Sequence, residues 1–309
     1  MDQTMKLTHF RDLLAVVRTG SLRSASRHLG IAQPVITRSI RELERELGQT
    51  LLERHSKGVT LTPVGERFVR RIQGIEAEVR RAKEEVEQWS GEHSGEVAVG
   101  LSPACVMTLL PSAIATFSKR YPKVVTKVTQ ALFQPIETKL AAGLLDFWIG
   151  PLSKKHASQR FAIEQFMPNS RRIAARPNHP LLRAQSLEEL AGARWVRPPL
   201  SDRYADSDLE AIFERRALPT PEMTVESSSM LITLVTVANT DMLTVLPEQM
   251  FKLMPVTRFC APLENIPALT SDPICMVTRQ GLPLTPLAEK LSDLMRKAAH
   301  NHARAELTA

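Results

Sequence analysis

Apolar positions along the first fifty or so residues recur at intervals of three and four, the spacing that gives a helix one buried face. Leu7, Phe10, Leu13, Leu14 and Val17 mark a first helix, and Gly20 stops it. Ser21 is an N-cap for a second, whose apolar face is Leu22, Ala25 and Leu29 and which Gly30 closes. Pro34 falls in the first turn of a third, where proline is tolerated; Ile36, Ile40, Leu43 and Leu47 follow, and Gly48 ends it. Two short helices a few residues apart, the later one exposing Gln33, Thr37, Arg38 and Arg41, have the layout of a helix-turn-helix. Beyond it, Thr50 to Arg54 and Val59 to Thr62 are β-prone stretches around the polar turn His55-Ser56-Lys57-Gly58, a hairpin that reads as a wing.

Pro63 opens a longer pattern. Val64, Phe68, Ile72, Ile75, Val79, Ala82, Val86 and Trp89 alternate in steps of four and three almost throughout, a heptad seam. The helix it predicts is roughly 40 Å long. A long helix packed on its own domain is one reading. The charge of the opposite face, with Arg70, Arg71, Glu78, Arg81 and Glu85, favours a seam between two copies of the chain.

After a short polar stretch around Gly91 and Gly95 the periodicity changes. Strands over Val97–Leu101, Val124–Val128 and Leu145–Ile149 alternate with helices over Met107–Arg120 and through Ile136, Leu140 and Ala141. Further strands are expected at Arg172–Ala175, Trp195–Val196, Met223–Val225, Met242–Leu246 and Ile274–Val277. Helices or helical turns are expected at Leu187–Leu190, through Leu209, Ile212 and Phe213, over Ser229–Ala238, and from Pro286 toward His300. Residues Asn301 to Ala309 read as a frayed end, and His179 before Pro180 as a turn residue. Such alternation predicts an α/β fold with a mostly parallel sheet.

Composition adds constraints. With 309 residues and 43% hydrophobic content, the chain can build roughly two domains of about 150 residues each. No apolar run approaches the roughly 20 residues of a membrane span. The N-terminus lacks the basic-then-apolar layout of a signal peptide, so a cytoplasmic location without membrane association is expected. The three cysteines, Cys105, Cys260 and Cys275, are widely spaced and read as small buried hydrophobes rather than a disulfide framework, a redox pair or a zinc site. No metal and no cofactor is expected. Net charge is +7; residues 1–62 hold ten Lys/Arg against six Asp/Glu, so positive charge is densest at the front, which suits a polyanionic partner.

The residues now carry a family likeness. The stretch Ala25-Ser26-Arg27-His28-Leu29-Gly30-Ile31-Ala32-Gln33-Pro34-Val35-Ile36-Thr37-Arg38-Ser39-Ile40-Arg41-Glu42-Leu43-Glu44 resembles the LysR-type pattern of a helix, a Ser-Gln-Pro turn and a recognition helix ending in Leu-Glu. Leu47-Gly48, Leu51-Leu52-Glu53-Arg54 and Gly58-Val59-Thr60-Leu61-Thr62-Pro63-Val64-Gly65 resemble the family's wing and linker start. This chain departs at Ala32 and Thr37, where Ser is usual, and at Leu52, where Phe is usual. Further on, Leu101-Ser102-Pro103-Ala104, Leu110-Pro111, Tyr121-Pro122, Ala142-Gly143-Leu144-Leu145-Asp146-Phe147 and Leu246-Pro247 look like the same family's effector-binding region. Within the family, the segment from Val225-Glu226-Ser227-Ser228-Ser229 to Leu246-Pro247 looks closest to regulators of small-acid catabolism.

The resemblance implies a winged helix-turn-helix over residues 1–62 and a dimerising linker helix over 63–90. It implies a two-lobed, periplasmic-binding-protein-like effector domain over 95–309, with one lobe from about 95–165 and 266–309 and the other from about 166–265. Double-stranded DNA, a small-molecule effector, a second copy of the chain in a dimer or tetramer, and RNA polymerase are the partners that go with it. Gln33, Pro34, Thr37, Arg38 and Arg41 are candidate DNA-reading residues, since Gln pairs with adenine and Arg with guanine in the major groove; the alternative is that some are solvated or pair with Glu42 or Glu44. Ser21, Arg23, Arg54 and Lys57 are candidate phosphate contacts. For the effector, Ser102 follows the first strand of the effector domain, and Ser227, Ser228 and Ser229 open a helix whose N–H groups favour an anion. These serines read equally as N-caps. Phe133 and Gln134 are further cleft candidates, with Ser201 and Arg203 in a polar loop.

An enzyme with an appended helix-turn-helix is the main rival class, but no GxGxxG after a strand, GxxxxGK[ST], HExxH or GxSxG occurs. A solute-binding protein with such an appendage is the other rival.

Overall fold

The computed structural model describes residues 5–55, 58–91, 93–152, 158–199 and 209–307. Contacts divide the chain into two compact units, one of Met1–Ser90 with Ala142–Leu144 and one of the remainder. The first contains α1 (Leu7–Thr19), α2 (Leu22–Leu29), α3 (Gln33–Leu47), the antiparallel hairpin β1 (Leu52–His55) and β2 (Gly58–Leu61), and α4 (Pro63–Trp89). The expected punctuation is present: the Ser21 hydroxyl accepts the Ser24 N–H at the start of α2, and Gly20, Gly30 and Gly48 end α1, α2 and α3 in the left-handed region. Two glycines are needed for close approach. A Cβ on Gly58 would meet the Gly20 carbonyl oxygen at 2.7 Å, and one on Gly65 would meet that of Leu51 at 2.2 Å. Strand β2 and the first turn of α4 therefore seat directly on neighbouring backbone.

Leu13, Leu14, Ile36, Ile40, Leu43 and Leu51 form a buried core under these elements. The first half of α4 joins it, and here the seam expectation needs correction. Ile72 is 1% exposed in the winged-helix core, and Phe68 packs edge-on against Phe10. Ile75, Val86 and Trp89 face outward, at 43%, 68% and 79%. A helix that must meet α1 along its first turns cannot offer the same stripe to a second chain, so Phe68 and Ile72 are withdrawn from the outward stripe. Arg81, expected on the charged outer face, is buried; its guanidinium bonds the Gly143 carbonyl and Glu78.

The second unit begins with β3 (Ser94–Leu101), α5 (Pro103–Thr108), α6 (Leu110–Arg120), β4 (Lys123–Gln130), α7 (Phe133–Ala141), β5 (Phe147–Pro151) and β6 (Phe161–Ala175). Then come β7 (Arg194–Arg197), α8 (Leu209–Arg215), β8 (Glu222–Glu226), α9 (Met230–Ala238), β9 (Thr244–Pro247), α10 (Met254–Thr257), β10 (Ala261–Pro262), β11 (Leu269–Arg279) and α11 (Pro286–Leu307), with short 3-10 turns at Pro180–Arg183, Glu188–Leu190 and Glu248–Lys252. The main sheet runs β10-β6-β11-β5-β3-β4, with β9 also on β6, and β7 pairs with β8 apart from it.

The sheet is mixed, not mostly parallel. Only β3–β4 and β3–β5 are parallel within it; β6 and β11 run antiparallel to each other and to their outer neighbours. These two strands pass through both lobes. Alternation along β3, β5 and β11 feeds two cores in the first lobe: Val97, Val99, Phe147, Ile149 and Ile274 face α6 and α11, while Ala98, Trp148, Cys275 and Val277 face α7. In the second lobe, Ile173, Trp195 and Phe213 belong to one core, and Ala174, Val196, Met230 and Leu246 to another.

Three further expectations are corrected. The helix expected over Met107–Arg120 is two, α5 and α6, broken at Leu109; Pro111, without an N–H, sits in the first turn of α6 as Pro103 does in α5. The strand expected at Arg172 starts at Phe161, because Pro168 lies beside a register shift around Pro273 of β11 where the ladder asks for no bond from it. Helix α11 continues through Asn301 to Leu307 rather than fraying at Asn301.

Candidate functional site

The outer face of α3 is built by what its inner face buries. Ile36, Ile40 and Leu43 are wholly enclosed, so Gln33, Pro34, Thr37, Arg38 and Arg41 turn outward and line one open surface depression with Val35, Glu42 and Arg45. Of the two acids that might have neutralised the arginines, Glu44 is engaged elsewhere and Glu42 keeps a half-exposed carboxylate in the same depression. Glu42 lies 3.8 Å from His9 of α1, and Glu44 accepts the N–H groups of Leu51 at 2.8 Å and Leu52 at 3.2 Å, tying α3 to the wing. Arg38 and Arg41 form no ion pair among the described residues. The Thr37 hydroxyl donates back to the Gln33 carbonyl at 3.0 Å, which leaves its methyl and an oxygen lone pair outward. Arg23 on α2 and Arg54 on β1 are exposed, while Ser21 spends its hydroxyl on Ser24. Lys57 lies outside the described residues. Val35 and Arg45 were missed from sequence: Val35 reads as one more apolar helix position, and Arg45 as a basic residue near the helix end.

In the second unit, Ser102 caps α5 by accepting the Cys105 N–H at 3.4 Å and is wholly buried. Ser229 caps α9, its hydroxyl accepting the Ile232 N–H. The Ser227 hydroxyl bonds that of Thr233 at 2.6 Å and the Ser229 carbonyl, and Ser228 is exposed. The capping reading of Ser102 and Ser229 therefore holds. Ala104 of α5 and Met230 of α9, on the helices they open, belong to one buried cluster. Glu226 points to solvent, 3.3 Å from Arg197. Phe133 is corrected: it is 5% exposed, packed on Trp148 and Phe161, and belongs to the core rather than to a cleft wall. Gln134 is exposed. Ser201 and Arg203 lie outside the described residues.

Beside α5, Glu248 receives the Ser170 hydroxyl at 2.5 Å and Arg172 at 2.8 Å, tying the crossing strand β6 to the turn after β9. Partial burial pushes this carboxyl up, but those bonds, with the charges of Arg172 and Lys252, hold it below the ordinary carboxylate range. A group so lowered supports folding at neutral pH and loses that contribution as pH falls through its folded value. The three cysteines are buried thiols; burial pushes Cys105 and Cys260 up to about 12, which leaves almost no thiolate at neutral pH. His179 is a turn residue, as expected, accepting the Leu181 N–H at the head of a 3-10 turn. Among the described residues no helix is long and apolar enough to cross a membrane.

A winged helix-turn-helix with exposed arginines on the outer face of α3, carried on the same chain as a two-lobed α/β domain, defines a ligand-responsive DNA-binding protein. Residues 7–66 match the bacterial regulatory helix-turn-helix protein, lysR family, and residues 90–300 match the LysR substrate binding domain. The chain belongs to the LysR family: it is a DNA-binding transcription regulator controlled by a small-molecule effector. It is 27% identical over 306 residues to the HTH-type transcriptional regulator GbpR of Azospirillum brasilense, covering 98% of this chain and 89% of that one. The structure of full-length CbnR complexed with its target DNA is similar at a TM-score of 0.68 and 19% identity, covering 95% of this chain and 100% of that one. Full-length LysG from Corynebacterium glutamicum with bound effector Arg is similar at 0.64 and 17%, covering 96% and 99%.

Proposed function

We propose that α3 enters the major groove of double-stranded DNA, with Gln33, Pro34, Thr37, Arg38 and Arg41 toward the bases, and that Ser21, Arg23, Arg54 and Lys57 hold phosphates. The observation that carries this is the pair of outward arginines that form no ion pair among the described residues. The test is a gel shift with the DNA immediately upstream of this protein's own coding sequence against random DNA of equal length. The upstream fragment should bind at least tenfold more tightly, with affinity falling steeply as salt rises. Equal binding to both fragments contradicts the proposal.

The active form is a homo-oligomer held in part by the outward stripe Ile75, Val86 and Trp89 of α4. A further apolar patch supports self-association, Leu231, Ile232 and Val235 on α9, and the edge strand β4 exposes Val125 on one face and Val128 on the other. Exposed apolar clusters of this kind mark protein interfaces. Domain limits are 1–62, 63–90 and 95–309, with lobes meeting near 165 and 265. The protein acts in the cytoplasm, on DNA and with RNA polymerase as a further partner.

The effector is a small organic anion bound between the lobes. Support comes from the Ser227–Ser229 turn at the N-terminus of α9, where backbone N–H groups and the helix dipole favour negative charge. Glu226, the acid adjoining that turn, already has Arg197 beside it. Because Ser102 is wholly enclosed, Ser228 is the better first contact, and Ser102 acts by fixing α5. Anion binding shifts lobe closure and so the spacing of the DNA-binding pairs.

A further inference from the structure

On the reading that α3 enters the major groove, we propose that Val35 senses the 5-methyl group of a thymine and so sets a base preference that the hydrogen-bonding groups of this helix cannot. Val35 is 54% exposed in the first turn of α3, on a helix whose core side is supplied by the wholly buried Ile36 and Ile40. Nothing in its own fold calls for a β-branched apolar residue here, since valine is a weaker helix former than alanine and gains nothing from burial. Single exposed apolar residues are common on protein surfaces. What distinguishes this one is its place: it lines the same depression as Gln33, Thr37 and Arg38, one helical turn from Arg38. The N-terminal turn of a recognition helix is the part that comes closest to base edges.

The chemistry is specific. Of the four bases only thymine offers an apolar group to the major groove, and an apolar side chain is its complement. Valine is stiff about χ1, so it presents two methyl groups in one orientation with little rotamer freedom to lose. Gln33 and Arg38 read hydrogen-bond donors and acceptors, which a thymine and a uracil share. Val35, with two methyl groups against the one of Thr37, gives the helix its strongest reason to tell the two apart.

That difference supplies the test. Full-length protein is used to select binders from a random-sequence duplex library, and each thymine of the enriched site is replaced in turn by deoxyuridine, which removes the methyl and nothing else. One position should weaken wild-type binding about fourfold, the worth of roughly one buried methyl. Val35→Ala should be indifferent to that replacement, and Val35→Thr, which keeps one methyl, intermediate. Because Val35 is exposed, both variants should melt with the wild type. If wild type enriches no sequence, the reading of α3 as a DNA-reading helix fails. If it enriches a site but no thymine can be told from deoxyuridine, or if Val35→Ala keeps the discrimination, this inference is overturned while that reading stands.

Discussion

Replacing Ile75 and Val86 together by glutamate is expected to leave a folded protein that sediments as a monomer and binds its DNA at least about a hundredfold more weakly. Both side chains are exposed in the single chain, at 43% and 68%, so the charges meet no core of their own protomer. In a paired α4 they meet each other. Each lost apolar side chain forfeits about 1.5–3 kcal/mol of burial, and the new carboxylates repel across the seam. The effect on DNA follows from geometry, since two reading helices on one assembly engage two half-sites and a monomer engages one. Sedimentation velocity and a melting curve on the same sample decide it. Ile72→Glu is the contrasting variant: at 1% exposure in the winged-helix core, it should lower the melting temperature sharply. A double variant that remains an oligomer would place the interface elsewhere, with β4 and α9 the next surfaces to change.

Arg38→Ala is expected to weaken binding to the enriched or upstream DNA by about 1–3 kcal/mol, roughly 5- to 150-fold, while changing binding to random DNA much less. Arg38 is exposed on α3 with no ion pair among the described residues. A guanidinium aimed at a guanine edge discriminates; one lying on a phosphate does not. Arg54→Ala, from the wing, is the control, expected to weaken both DNAs alike and to reduce the salt slope by about one unit. An unchanged ratio of specific to random binding in Arg38→Ala would remove Arg38 from the base-reading set. A lost contact between Glu44 and the wing is not an alternative cause, because Glu44 bonds backbone N–H groups of Leu51 and Leu52, not Arg38.

How legible each part was in the sequence follows from how local its causes are. The three short helices were readable because their apolar residues repeat on one face and because Gly20, Gly30 and Gly48 stop each where a left-handed residue is needed. The outward set on α3 followed from the same repeat by subtraction. Strand β6 was hidden in its first half because Pro168 argues against a strand, and only the partner strand, with its own Pro273 at the register shift, removes the objection. The seam of α4 could be read as apolar but not divided, since which residues face α1 is a tertiary fact, and Ile72 and Ile75 look alike in a heptad. Phe133 opens a helix after a strand, where a cleft wall was plausible; that Trp148 and Phe161 enclose it depends on residues 15 and 28 positions away. Ser102 and Ser229 were visible as hydroxyls at helix starts, and capping and ligand binding use the same atoms, so the pattern alone could not separate them.

A single chain is expected to read DNA and to be reset by a small acid. The most direct measurement is a nuclease footprint on the upstream DNA, with and without whichever small organic acid most raises the melting temperature of the full-length protein. On that expectation the acid changes the length or spacing of the protected DNA for wild type, and Ser228→Ala needs about tenfold more acid to produce the same change, the worth of one hydroxyl-to-anion bond. A footprint that the acid leaves unaltered, at concentrations that saturate its effect on melting, would contradict it.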